Sequence, residues 1–385
     1  MSEYQYYEFA AIERPLTRAE MAQLRAVSTR AVITSTGFSN HYEWGDLKAD
    51  PLDWMRRYFD AFVHTANWCS CRLALRVPLA TFSIVEMRPF ALEQSLTVEA
   101  SDSHWIIQWF LNESEDYDRF NAEDGRGWMW RLAPLRDELQ RGDLRSLYLG
   151  WLAGAACGEL DDDVLEPEVP PGLASLSSAQ QALVEFLEID PDMLAAAVAG
   201  SDKLAQADVA SADALDAWWG TWSRDEMVST LRLLAQGQGQ QAERQVKTRY
   251  AAWLKAQRPA VAATAPRRSV AELCELAEAA AEIWLQQEAR QRALQEAEQR
   301  HQRELHLRQL MEDAETHWDA VEAQAQHGSG ASYAKAVQLL AELAQAYALT
   351  QTRTAFDQAL RRFLTRHANR GALLRRLTEA GLWSK

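Results

Sequence analysis

Between Ser269 and Gln326 the sequence runs for 58 residues without a proline or a glycine. The run is rich in Ala, Glu, Gln, Arg and Leu, the residues that lose least side-chain freedom in a helix. It is expected to form one long helix, about 85 Å long if unbroken at 1.5 Å per residue, more than an ordinary domain is wide. Val270, Leu273, Ala277, Ala280 and Trp284 follow heptad-like steps near its start, and Leu310, Ala314, Trp318 and Val321 do so near its end. Between Gln286 and Glu304 the single large aliphatic residue is Leu294. That middle is too polar for a strong zipper, so the reading is a spacer docked at its two ends, with a weak coiled coil as the alternative. The Pro- and Ala-containing stretch before it, 257–268, reads as a linker, and Gly328-Ser329-Gly330 closes it.

A rod of this length implies two ends, and the charge is divided accordingly. The 385 residues carry a net charge of −15, which argues against a general nucleic-acid binder along the whole chain. From Ala331 to Lys385, however, nine Lys and Arg stand against three Asp and Glu. The tail is therefore a basic module on an acidic body, and eleven of the fifteen Trp precede Arg224, on the acidic side. A hydrophobic share of 48% with 25% charged residues is that of a globular chain large enough for two or three domains. No apolar run approaches the roughly 18–20 residues of a membrane span, and the first residues have no signal-peptide pattern. Four sparse cysteines suit reduced thiols rather than a disulfide framework. A cytoplasmic location in a bacterium, with no membrane association, is the expectation.

The fold class expected is an α+β N-terminal domain followed by mostly α structure. Residues 1–112 read as the α+β domain, with element order β-α-β-α-β-β and helices on one face of an antiparallel or mixed sheet. Its signals are the aromatic strand Tyr4–Phe9 and the capping box Thr17-x-x-Glu20. Val32 to Trp44 reads as one long strand with a bulge or turn at Gly37. Asp50-Pro51 opens a helix expected to carry Leu52, Met55, Phe59, Phe62 and Ala66 on one face. Cys71 to Val77 alternates as a half-buried strand, and Leu96–Ala100 with Trp105–Leu111 forms a hairpin. Asn112–Asp124 reads as a solvated acidic loop. Residues 113–256 read as an all-α array, with helix starts at Ser178 with Gln181, at Asp190-Pro191 and at Ser223 with Glu226. The linker (257–268), the long helix (269–326) and a basic helical bundle (327–385) complete the expected domains.

Two resemblances attach to the ends. Tyr4–Phe9 with Tyr42-Glu43-Trp44-Gly45-Asp46 and Asp50-Pro51 resembles the opening of an uncharacterised bacterial protein family. The tail pattern of Tyr333, Ala336-Val337, Leu339-Leu340, Phe356, His367, Leu373-Leu374 and Ala380-Gly381-Leu382 is similar to the helical C-terminus of some bacterial SWIM zinc-finger proteins. Those proteins bind zinc through a Cys-x-Cys…Cys-x-His pattern. Here Cys69-Ser70-Cys71 matches the first half, and no Cys-x-His follows.

The chemistry-bearing candidates are few. His41, Glu43 and Asp46 lie within six residues at a strand end, and a catalytic reading of the N-terminal domain would use these with His64. Cys69 and Cys71 share a face if both lie in a strand, and with His41 or His64 would present a zinc-type ligand set. Without a second close pair, buried thiols packing beside Leu73 are the favoured reading, so no metal and no cofactor are assigned. Phosphate-cradling glycine loops, nucleophile elbows and zinc-protease motifs are missing from the sequence. In the tail, Arg361, Arg362, Arg366, Arg370, Arg375 and Arg376 form a stripe suited to nucleic acid or to an acidic protein, or to an ordinary solvated helix face. The reading that joins these features is a non-catalytic adaptor or scaffold linking protein partners. One alternative is an enzyme with an active or metal site in the N-terminal domain. A second is a nucleic-acid accessory protein acting through the tail.

Overall fold

The computed structural model describes residues 4–112, 120, 125–203, 212–257 and 267–383. Most of the acidic Asn112–Asp124 stretch and of the 257–268 linker therefore lies outside the described residues. The chain divides into two compact units, Met1–Glu282 and Ile283–Lys385. Its architecture is α+β followed by helices, as the sequence indicates.

The first unit begins with seven strands and three short helices. In chain order these are β1 (Gln5–Ala10), α1 (Arg18–Val27), β2 (Val32–Thr34), β3 (Gly37–Tyr42), α2 (Pro51–Arg57), β4 (Ala61–Ala66), β5 (Cys71–Pro78), α3 (Ile84–Met87), β6 (Leu96–Ala100) and β7 (His104–Leu111). The strands pair antiparallel in the order β2-β3-β1-β4-β5-β7-β6. Thr17 and Glu20 cap α1 reciprocally, as expected. The region from Val32 to Trp44 is a hairpin instead of one strand, because the chain turns at Ser35-Thr36.

The helix opened by Asp50 stops at Arg57, and Phe62 and Ala66 lie in β4. Positions 62 and 66 share a face in a strand as readily as in a helix, and only cross-strand pairing separates the two. Phe62 stands opposite Phe9 and Ala74, and the Phe9 and Phe62 rings stack with centroids 4.4 Å apart. Central strands covered on both faces lose the polar alternation that marks a half-buried one. The same reason corrects the half-buried reading of β5, where Ala74 and Arg76 are buried along with Leu73 and Leu75.

Both faces of the sheet are covered, not one. On the first face Phe9, Phe38, Phe62, Ala74 and Ile106 pack against Leu24 of α1, Trp54 and Met55 of α2, and Phe59. On the second, Val63, Leu73, Leu75, Ile107 and Trp109 pack against α4 (Trp128–Leu132), α5 (Pro134–Gln140), α6 (Arg145–Ala156), α7 (Ser178–Phe186) and α8 (Pro191–Ala199). Of the helices expected to form an array of their own, α4 to α8 thus share the sheet's core. α6 approaches closely: Trp109 donates to the Ser146 carbonyl at 2.9 Å, and a Cβ at Gly150 would sit 2.6 Å from the Trp109 ring. α7 is capped by Ser177 with Gln180, one residue earlier than read from the sequence.

A buried charge network crosses these layers. Asp60, 1% exposed, accepts the Ile12 and Glu13 amides at 2.6 and 2.7 Å and binds Arg76 through two contacts, at 3.1 and 2.6 Å. Arg76 also donates to the Met55 and Arg56 carbonyls at the end of α2. From the opposite face Arg136 of α5 donates to the Arg76 carbonyl at 2.6 Å and pairs with Glu13. Burial alone would raise the Glu13 carboxyl. The hydrogen bond with His104, together with the nearby Arg136, His104 and Arg76 charges, prevails and holds it at about 2.

After α9 (Ala212–Trp219), α10 (Arg224–Ala235) and α11 (Gly239–Gln257) comes the long helix α12 (Val270–Glu312). Its root is anchored in the first unit. Glu166, 2% exposed, accepts Arg268 through Nε at 2.7 Å and Nη2 at 2.8 Å and is also bonded by the Tyr148 hydroxyl. Backbone bonds from Glu166 to Arg268 and from Val270 to Val164 continue the attachment. Val270 and Leu273 are core residues there. The end of the stretch read as a linker is thus held in place at Arg268.

The predicted 58-residue helix is interrupted. α12 ends at Glu312, Asp313 departs from helical geometry (φ −111°, ψ 35°), and α13 (Ala314–His327) follows. The second unit joins the end of α12 to α13, α14 (Gly330–Leu349), α15 (Arg353–Arg366) and α16 (Gly371–Glu379). Leu307 and Leu310 before the interruption and Val321 and Ala325 after it enter one core with Leu340, Leu343, Phe356, Phe363 and Leu373.

Removing Asp60 leaves Arg76 and two amides buried without their acceptor. Asp60→Ala is expected to cost roughly 3–5 kcal/mol, read as a lower urea midpoint with an unchanged slope.

Candidate functional site

Side chains alternate across a strand, so register decides which polar residues meet. On the α1/α2 face, Tyr7 of β1 stands opposite Asn40 of β3 and His64 of β4, His64 opposite Arg72 of β5, and Arg72 opposite Phe110 of β7. A polar row therefore crosses the sheet next to the aromatic row of Phe38, Phe9 and Phe62. The loop after β3 lies against its β1 end.

Four side chains, Gln5, Tyr7, Asp46 and His64, lock that end together. Gln5 donates from Nε2 to the Gly45 carbonyl at 2.6 Å, which turns its Oε1 toward His64 Nε2 (3.0 Å) and the Tyr7 hydroxyl (2.8 Å). The Tyr7 hydroxyl donates to Asp46, whose Oδ1 also accepts the Leu47 amide at 2.7 Å. Burial, then the hydrogen bond and charge of Asp46, push the Tyr7 phenol well above its ordinary value. Burial lowers His64 to about 4, with the Arg72 charge adding to the effect and Asp46 partly opposing it. At neutral pH His64 is an uncharged imidazole with its proton on Nε2.

Arg72 occupies the other half of the row. It donates from Nε (3.0 Å) and Nη2 to Gln108 Oε1, and Gln108 in turn donates to Thr97 at 3.0 Å. Its guanidinium lies 5.0 Å from the Phe110 ring centroid and 5.7 Å from that of Phe62. Burial lowers its pKa, with Asp50 and Glu99 opposing.

The sequence candidates are sorted by this geometry. His64 and Asp46 come together through Gln5 and Tyr7. His41 does not join them: it lies on the other face of β3, where its ring stacks on Tyr4 at 6.1 Å. Glu43 is exposed beyond the strand end. Cys69 lies in the β4–β5 turn with φ +66°, so it does not form a strand pair with Cys71. The Cys71 thiol donates to the Phe186 carbonyl of α7 at 3.0 Å, on the face opposite His64, which separates it from that candidate ligand. Among the described residues no group of three His, Cys, Asp or Glu is placed to hold a metal. Nothing in the sequence marks Gln5, Tyr7, Arg72 and Gln108 as site residues. Arg72 and Arg76 look there like the solvent side of an alternating strand, and nothing local distinguishes them.

In the tail the six arginines do not act as one stripe. Arg370 donates to the Ala325 and Gln326 carbonyls and to the Tyr333 hydroxyl, closing the C-terminus of α13, and Arg376 donates to the Gly330 carbonyl. Arg366 pairs with Glu322 at 3.2 Å, beside the buried His367 bound to the same carboxylate at 2.7 Å. Arg375 pairs with Glu379 at 3.7 Å on an exposed face. Arg361 and Arg362 stay exposed.

An apolar surface adds a different kind of candidate. α10 is closed at its start by reciprocal Ser223 and Glu226 bonds, yet none of its residues is buried. Met227, Val228, Leu231 and Leu234 are all exposed, Leu231 by 61% and Leu234 by 51%. Comparison with protein-family models, with curated proteins and with solved structures finds no match for this chain.

Two outcomes follow from these placements. Because the folded His64 value of about 4 lies below its ordinary 6.5, the unfolded chain takes up the extra proton between those values. The stability contributed by neutral His64 is complete above that window and is lost as pH falls through it, by up to about 1.4 kcal/mol per pH unit. Urea midpoints should therefore fall from about pH 7 to about pH 4.5, and fall less in His64→Gln. In the tail, Arg370→Ala should cost the second unit about 1.5–3 kcal/mol through lost charged hydrogen bonds. Arg361→Ala and Arg362→Ala should stay within about 0.5 kcal/mol of the parent in the same thermal melts.

Proposed function

We propose that this chain is a non-catalytic adaptor that binds protein partners in the bacterial cytoplasm. The observation that carries the reading is the exposed apolar stripe of α10. A capped helix with Met227, Leu231 and Leu234 at i, i+4 and i+7 presents the anchor spacing used when a helix docks into a partner's groove, and contiguous exposed apolar surface of this kind marks interaction sites. Leu276, Ile283, Trp284 and Leu285 on α12 are exposed as well, which supports the same kind of use. The likeness of the tail to SWIM-protein C-termini belongs to this proposal without adding a zinc site to it.

The catalytic alternative rests on His64 with Gln5, Tyr7 and Asp46. An imidazole whose pKa is depressed to about 4 is a weak general base at neutral pH, so that reading ranks lower. The nucleic-acid alternative rests on Arg361 and Arg362, since Arg370 and Arg376 are engaged in closing helices and loops of their own unit. It predicts salt-sensitive binding.

The test uses the full chain. Partners captured from the native host by the parent protein are identified and purified, then titrated against Leu231→Glu/Leu234→Glu. Affinity should weaken by at least about tenfold, equivalent to 1.4 kcal/mol, with an unchanged circular dichroism spectrum and melting point. Equal affinity of parent and variant for every captured partner would remove α10 as the docking element and the adaptor reading with it.

A further inference from the structure

The interior arginines of the first unit follow a rule with one exception. Arg76 has Asp60 at 2.6 Å, Arg136 has Glu13, Arg145 has Asp143 at 2.7 Å and Arg268 has Glu166 at 2.7 Å. Each positive charge withdrawn from water meets a carboxylate, as the cost of burying an unpaired charge requires. Arg72 is half-buried between Phe62 and Phe110 and has no carboxylate within ion-pair distance among the described residues. Its Nε and Nη2 are occupied by the neutral Gln108, which orients the fork, and Nη1 makes no hydrogen bond to the described residues. Beside it on the neighbouring strand stands His64. The fixed orientation of Gln5 assigns the His64 proton to Nε2, so its Nδ1 is an acceptor with no donor among the described residues.

We propose that Arg72 and His64 form a binding site for a small α-hydroxycarboxylate, the carboxylate pairing with the Arg72 guanidinium and the hydroxyl donating to His64 Nδ1. A carboxylate completes at Arg72 the pairing that the other four arginines make within the chain, through charge-assisted bonds that a pre-oriented fork favours. One negative charge matches one unpaired positive charge. Asp46, Asp50 and Glu99 border the row, and their repulsion selects against a multiply charged phosphate. The proposal is independent of the adaptor reading, because it concerns the sheet and not α10.

Lactate, acetate and inorganic phosphate are titrated separately into the full-length protein at constant ionic strength, followed by calorimetry and ligand-observed NMR. Lactate should bind saturably and more tightly than acetate, and phosphate should bind more weakly than either. Arg72→Gln should weaken lactate and acetate alike by at least tenfold. His64→Phe, which keeps an aromatic ring and removes the acceptor, should reduce lactate to the level of acetate. Because Arg72 is packed between two rings, Arg72→Lys serves as a second variant that keeps the charge and loses the fork, and it should bind lactate several-fold more weakly than the parent. Failure of lactate to saturate, equal binding by parent and Arg72 variants, or phosphate binding as tight as lactate would each overturn the proposal.

Discussion

The first unit depends on the buried pairing of Asp60 with Arg76. Asp60 immediately precedes β4 and takes the amides of the chain leaving β1, while Arg76 spans from β5 to the carbonyls ending α2. Arg136 reaches the same point from the helical layer on the far face and brings Glu13 with it. Two layers and three strands are thereby fixed in register by groups that cannot exchange with water without large cost. Hydrophobic burial supplies most of the favourable free energy, but it does not choose between one registry and the next. The charges do that, because a one-residue slip would strand them.

The same pairing shapes the rest of the face. With Arg76 committed at one end of β5 and Ala74 packed among the aromatic rings, Arg72 is left at the other end beside His64. The polar row exists because the aromatic cluster around Phe9 does not extend that far along the sheet. A second pair, Glu166 with Arg268, plays a comparable part for α12, whose first turn belongs to the core of the first unit. A helix that looks in sequence like an independent spacer is therefore rooted through a buried salt bridge and two core residues.

Much of the local structure was legible. The caps at Thr17, Asp50 and Ser223, the hairpin from Leu96 to Leu111, the helical tail and the length of the Pro- and Gly-free run are local signals, set by backbone amides and side-chain entropy. The readings that failed share a cause. Phe62 and Ala66 fit both a helix and a strand, and the choice lay in the pairing of Phe62 with Phe9 and Ala74 and of Ala66 with Gln5. Asp313 carries no breaking signature of its own, and the helix stops there where residues on both sides enter a common core. Arg370 and Arg361 are indistinguishable as residues in a basic run, yet one closes α13 and the other meets solvent.

By itself the sequence determined where helices and strands could start and stop, that the C-terminal end is basic and the remainder acidic, and that the fold would be α+β followed by helices. These follow from propensities and charges that act over a few residues. Only the tertiary structure decided that the sheet is covered on both faces, that the long helix is divided, and that His64 meets Arg72 and not Cys71. Each of those depends on strand order and register, which bring together residues far apart in the chain and separate neighbours by the thickness of a sheet.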